Sequence, residues 1–353
     1  MSFLRRRAAS GRAGAQAQAI DRFWAWWLDG GAAGTAAAID DHQPERAVEQ
    51  LTRYVGLIDD ALAWELGPGS TAQHVLVVTA EGDPDRRAVA RRWRNAAPAG
   101  AAAGGVWEFS DVRLRAADPS QVTLTVDGAT LDVERATASA RVEGAHLNVG
   151  VHHPQLARLP QERRLFGAFL LLDVVLGEVA VESWLATIDA LADPPLDPVP
   201  LVGLRSVVDD LVDRFTDADG RPTWSLLEGH APDGARVVAM AQVPLASVNA
   251  PQLDTYVGIQ VPFTAPDDGG LPDDPTLASL RSFEAHVTER LGGSGQLVAH
   301  ETHHGVRLLH TYVDGTTPAA DQLRAAVSGW QHGRVRITVE PDAGWDRVRH
   351  LRT

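Results

Sequence analysis

The sequence predicts an α+β protein built from two αβ-sandwich domains, and three observations carry that expectation. The segment from Leu253 to Pro341 reads strand, helix, strand, hairpin, strand, helix, strand. The stretch 193–200 holds four prolines and divides the chain. The residues before that break alternate helical and strand patterns of their own. The βαββαβ order of the later segment is that of a ferredoxin-like sheet, four antiparallel strands with both helices on one face. Its first strand places Val257, Ile259, Val261 and Phe263 on one side and Tyr256, Gly258 and Gln260 on the other. Its last alternates Val335, Ile337 and Val339 with Arg336, Thr338 and Glu340.

Composition bounds the rest. A chain of 353 residues exceeds the roughly 100–200 of one domain. Its net charge of −14 repels phosphate backbones and anionic membranes, so no nucleic acid or membrane partner is expected. Cysteine is absent, which removes disulfides and thiolate chemistry and fits a reducing cytoplasm. No apolar run approaches the ~18–20 residues that span a bilayer.

Residues 1–19 are basic at the start and lack an apolar core, and are expected to be a disordered tail. The first domain is expected over 20–192. Ile20, Phe23, Trp24 and Trp27 form one helix face, with Trp26 off it and free to meet a second element or a partner. A second helix after Pro44 has Val48, Leu51, Val55 and Ile58 as its stripe. Trp64–Leu66 and Val75–Thr79 read as strands around a Gly-Pro-Gly turn. Gly67, Gly69 and Ala72 match a dinucleotide-binding spacing, but a strand follows where that motif needs a helix. Asp83 caps and Pro84 opens a helix whose buried side is Val89 and Trp93. Its Arg86, Arg87, Arg91, Arg92 and Arg94 form the densest positive patch, read as a solvated face, or as an anion site or a dock for the chain's own acidic segments.

Further strands are expected at Val106–Phe109, Val122–Val126, Leu131–Val133 and Ala140–Val151, with an Asp127-Gly128 hairpin turn. A helix over Gln161–Val175 carries Leu165, Phe169, Leu172 and Leu176. Glu178–Ile188 reads as either strand or helix. After the 193–200 linker, the second domain (201–348) opens with a helix at Leu204–Phe215 and a hairpin of Thr223–Gly229 with Arg236–Pro244. Trp64-Glu-Leu and Trp224-Ser-Leu each start a strand after a turn, which hints that the elaborated first sandwich is a related unit.

The loudest chemical pattern is His300-Glu301-Thr302-His303-His304, an H-E-x-x-H match. In zinc proteases that motif is helical and its histidines converge on one metal. Here it lies in a strand, where i and i+4 are roughly 13 Å apart, and a turn at His304-Gly305 follows. His152-His153 reads as surface or capping histidines. Asp217-Ala-Asp219-Gly220 fails the calcium-loop register and reads as a turn. No catalytic, cofactor-binding or metal-binding residue and no cofactor is therefore assigned. What remains is the sheet face without helices, which needs a partner: the protein's own first domain or hairpin, another protein, or a small ligand. Tyr256, Gln260 and Arg336 are its candidates, with His310 and Tyr312 undecided between faces. Trp26, Arg87 and Arg91 complete the candidate interaction set.

AWELGPG, HVLVVTAEGDP, the turn at Leu271 and THHGVRLLHTYVDGTTPAADQLR resemble the bacterial "domain of unknown function 695" family over most of the chain. The likeness carries no functional residues, because that family is uncharacterised. More distantly, the carboxyl-terminal half is similar to the B-type protein regulator of ribonuclease E, an acidic ferredoxin-like inhibitor. The expectation is a non-enzymatic interaction or regulatory module. A hydrolase or metal-dependent enzyme using the His300–His310 hairpin, and a ligand site between the domains, are the alternatives.

Overall fold

Tryptophans and a short sheet build the first core. The structure is a computed structural model that describes residues 2–264 and 270–352, with side chains from residue 13 onward except Ala103. The fold class is α+β, and the chain divides into two compact units, Met1–Leu211 and Val212–Thr353.

In the first unit, α1 (Ser2–Trp26) leads through a π-turn at Trp27–Gly31 into α2 (Ala32–Asp40), followed by α3 (Glu45–Ile58). Helix α1 takes in the segment expected to be a disordered tail. Its Ala- and Arg-rich sequence has high helix propensity, and Met1 lies outside the described residues. β1 (Ala63–Pro68), β2 (His74–Thr79) and β3 (Trp107–Ser110) form one sheet, with α4 (Pro84–Asn95) between β2 and β3. Asp83 caps α4 by accepting from the Asp85 N–H. Phe23, Trp24, Trp27, Trp93 and Trp107 pack together there, and Trp24 donates its indole N–H to the Trp93 carbonyl at 3.0 Å.

A hairpin of β4 (Thr123–Val126) and β5 (Ala129–Asp132) turns through Asp127-Gly128, both with positive φ as a type I′ turn requires. Next come β6 (Thr137–Glu143), β7 (His146–His152), α5 (Gln161–Leu176), α6 (Glu178–Trp184), β8 (Leu185–Leu191) and β9 (Val199–Pro200), with sheet order β8-β7-β6-β9. The single strand expected at Ala140–Val151 is a hairpin, broken at Gly144, whose φ is positive. Glu178–Ile188 is helix first and strand after. Segment 193–200, expected as linker, ends in β9 on the edge of this sheet, where proline is tolerated. The division falls later, within α7 (Leu204–Phe215).

Two expected stripes shift. Val48 and Phe169 are exposed, and Ala47 on α3 and Ala168 and Leu171 on α5 take the buried positions. Both helices offered two overlapping apolar stripes, and the core takes the second.

The second unit is one six-stranded sheet. It contains β10 (Thr223–His230), β11 (Arg236–Val243), β12 (Thr255–Pro262), α8 (Asp274–Leu291), β13 (Gly295–His303), β14 (Val306–Val313), α9 (Ala319–Ala326) and β15 (Arg336–Pro341). Strand order is β10-β11-β13-β14-β12-β15, and every pairing is antiparallel. α8 and α9 cover one face through Val257, Ile259, Val261, Leu309 and Val313. The other face is covered as well. Trp345, Val348 and Leu351, in and just before a 3-10 segment at Asp346–Leu351, pack on Tyr256, Tyr312, Ala239 and Ala241.

Candidate functional site

The H-E-x-x-H residues diverge. Strand alternation sends His300 to the helix side of the sheet, where it lies against the Trp224 ring with centroids 6.3 Å apart. Burial holds its ring down to about 4, with Arg307 and His310 acting the same way. Glu301 points to the opposite face. His304 sits at the hairpin tip with φ of 49°, followed by Gly305 at 69°, the left-handed pair of a tight turn. Its Nε2 meets Asp233 Oδ2 at 2.7 Å. His300 and His304 therefore do not converge on one point.

Glu301 is the centre of a different constellation. Its Oε1 lies 2.8 Å from His310 Nε2 and 3.0 Å from His350 Nε2. His310 Nδ1 lies 3.0 Å from the Tyr256 hydroxyl. Burial pushes the Glu301 carboxyl up, but the hydrogen bonds and charge of His310 and His350 outweigh it and hold it down to about 2. An ionised carboxylate only accepts, so both Nε2 atoms donate to it, which leaves His310 Nδ1 to pair with the Tyr256 hydroxyl. Burial raises the Tyr256 hydroxyl above its ordinary range, so it is a donor rather than an activated nucleophile. Gly258 makes the arrangement fit. A Cβ there would stand 2.6 Å from the Tyr256 hydroxyl, so the bare strand lets that ring lie back toward His310.

The chain's own carboxyl-terminal segment covers this site. Trp345 stacks on Tyr312 at 4.6 Å, Tyr312 donates to Asp342 at 2.6 Å, and the Trp345 indole donates to the Leu253 carbonyl. The candidates Tyr256, His310 and Tyr312 are consequently buried, at 5%, 2% and 0% exposure, rather than displayed to a partner. Gln260 and Arg336 are exposed, opposite each other on β12 and β15.

An uncovered apolar surface lies elsewhere in this unit. Leu227 packs with Ala239 and Ala241 on the segment-covered face, so Trp224, Leu226 and Glu228 point to the helix side. The core beneath α8 and α9 takes no residue from β10 or β11. Trp224 is 37% exposed and Leu226 61%, on a strand with one unpaired edge. No periodicity argument finds this surface, because the hairpin reads as an ordinary half-buried pair. Only the reach of the helices shows it.

The first unit's candidates are engaged internally. Trp26 stacks on Tyr54 at 4.4 Å. Arg87 is buried and paired with Glu182, Arg91 bonds Asp111 at 2.7 Å, and Arg86 meets Asp59 and Asp83. Arg86, Arg87 and Arg91 thus pair with the unit's own carboxylates, while Arg94 stays about half exposed. His152 and His153 are buried, and His153 Nδ1 accepts the Gln155 N–H. Asp217 accepts the Asp219 and Arg221 N–H groups and closes a turn. One buried acidic group has no signature in the sequence. Asp173, beside Arg113, Glu178 and Glu182, is pushed up to about 7 by burial, with the two glutamates adding to it and Arg113 opposing.

Among the described residues, no group of three or more His, Asp or Glu side chains is arranged to hold a metal ion, and no helix is long and apolar enough to cross a membrane. The Glu301–His310–Tyr256 relay, Trp345 and Val348 of its cover, and the exposed Trp224 and Leu226 fall within one matched segment. Residues 224–350 match the model of a family of unknown function, DUF695. No curated protein and no solved structure matches the chain. The DUF695 match begins at Trp224 and runs to His350, the first and last side chains that the site uses.

Proposed function

We propose that this protein is a non-enzymatic interaction or regulatory module that binds another protein through β10, in a carboxyl-terminal unit that we read as ferredoxin-like with an added hairpin. The observation that carries the reading is the exposure of Trp224 and Leu226 on an edge strand beyond the helical layer. Native sheets blunt long apolar edges with charge, proline or a covering element. On β10, Glu228 is the one charged residue and there is no proline. An extended segment adding to this edge would gain main-chain hydrogen bonds, while its alternate side chains met Trp224 and Leu226. The acidic charge favours a protein partner over nucleic acid or membrane.

Affinity capture from host extract with wild type and Leu226→Lys tests the reading, each with and without ribonuclease. A stoichiometric protein that survives ribonuclease and is lost from the variant is expected. Equal capture by both baits removes the β10 surface. Bare beads for both count against the module itself.

A further inference from the structure

The hairpin tip at the end of the H-E-x-x-H run holds a second arrangement, separate from Trp224 and Leu226. His303 Nδ1 and His304 Nδ1 face each other at 2.8 Å. His304 Nε2 lies 2.7 Å from Asp233 Oδ2, on the neighbouring β10–β11 hairpin tip. The Asp233 carboxyl is itself fixed, its Oδ1 accepting the Ala235 N–H at 3.1 Å. An anionic carboxylate accepts, so the His304 proton sits on Nε2 and the lone pair of the neutral ring is on Nδ1. Histidines that ligate metals are oriented in this way, with one ring nitrogen donating to a carboxylate and the other turned to the ion.

We propose that His303 Nδ1 and His304 Nδ1 chelate a divalent transition metal of tetragonal preference, Cu²⁺ or Ni²⁺, with Asp233 as the positioning residue and water in the other positions. The bite distance selects the metal. With bonds of about 2.0 Å, nitrogens 2.8 Å apart subtend about 90° at the ion, the angle of square-planar and tetragonal sites. Tetrahedral zinc asks for about 109°, hence a separation near 3.3 Å. Without metal, His303 donates its Nδ1 proton to His304. On binding, that proton moves through solvent to His303 Nε2, and two metal-bound waters leave. From the uncharged rings the ion is thus taken up with no net proton release. The ion would clip the β13–β14 tip, which Asp233 already joins to the β10–β11 tip.

Calorimetric titration of the full chain with Ni²⁺, Cu²⁺ and Zn²⁺ salts tests this, with Cu²⁺ electron paramagnetic resonance reporting the nitrogens bound. Thirteen histidines make a background, so the variants carry the decision. A 1:1 site with two-nitrogen coordination is expected, tighter for Cu²⁺ and Ni²⁺ than for Zn²⁺. It should be lost in His303→Gln and His304→Asn and unchanged in His300→Gln. Asparagine accepts the left-handed backbone at 304, so that variant keeps the turn. Asp233→Asn should weaken binding about 10- to 100-fold. Equal affinity in wild type and the His303 and His304 variants overturns the site, and a preference for Zn²⁺ overturns its geometry. Loss of Leu226-dependent capture would leave this titration untouched.

Discussion

At the scale of single residues, Gly258 decides whether the buried relay exists. Its missing side chain lets the Tyr256 hydroxyl reach His310, since a Cβ would stand 2.6 Å from that oxygen. Gly258→Ala is therefore expected to push the ring off its partner and leave His310 Nδ1 without the hydroxyl it pairs with. The cost should be about 1–3 kcal/mol in urea unfolding. Tyr256→Phe keeps the ring and loses only the hydroxyl, so it should cost about 1 kcal/mol. If the alanine variant is no worse than the phenylalanine one, the close approach is not what Gly258 provides. The sequence showed Tyr256, Gly258 and Gln260 on one strand face correctly. It could not show that Tyr256 turns back over the glycine, because that depends on Glu301 and His310 from two other strands.

At the scale of elements, period-2 strands were legible and their cover was not. The alternation in β12 and β15 and the His304-Gly305 turn are each local, so the residues themselves announce them. The segment 342–351 has no period, and its three buried side chains, Trp345, Val348 and Leu351, have no meaning until a sheet lies beneath them. That is why the helix-free face was expected to await a partner. Packing rather than the polar latch should hold this segment. Trp345→Ala removes a 2%-exposed ring stacked on Tyr312 and should cost about 3–5 kcal/mol. His350 is over half exposed, and His350→Gln should cost about 0–1 kcal/mol. Amide exchange along β11 and β14 ranks the two. The opposite order would make the Glu301 contact the principal anchor.

For the whole molecule, the two units should answer pH in opposite senses. Asp173 in the first unit titrates near 7 when folded, against an ordinary value of 3.8. The folded state therefore binds the extra proton across that interval. Its contribution is present in full below pH 4 and is lost as pH rises through about 7. In the second unit His300 is held down to about 4 from 6.5, and Glu301 to about 2 from 4.5. Here the unfolded chain binds the extra protons. These contributions are present above pH 6.5, and fall away as pH drops through about 4 for His300 and then about 2 for Glu301. Between pH 7 and pH 4 the first unit gains from Asp173 while the second loses from His300. Single variants isolate each effect from the other titrating groups. Asp173→Asn should gain on wild type, in the first unit's amide-exchange stability, as pH rises from 4 to 7, by on the order of 2–4 kcal/mol. His300→Gln should gain on wild type in the second unit as pH falls over the same range. A difference flat in pH for Asp173→Asn would mean that Arg113 keeps that carboxyl ionised. A flat difference for His300→Gln would mean that its ring stays hydrated beside Trp224, and the uncovered face would then be wetter than its apolar residues imply.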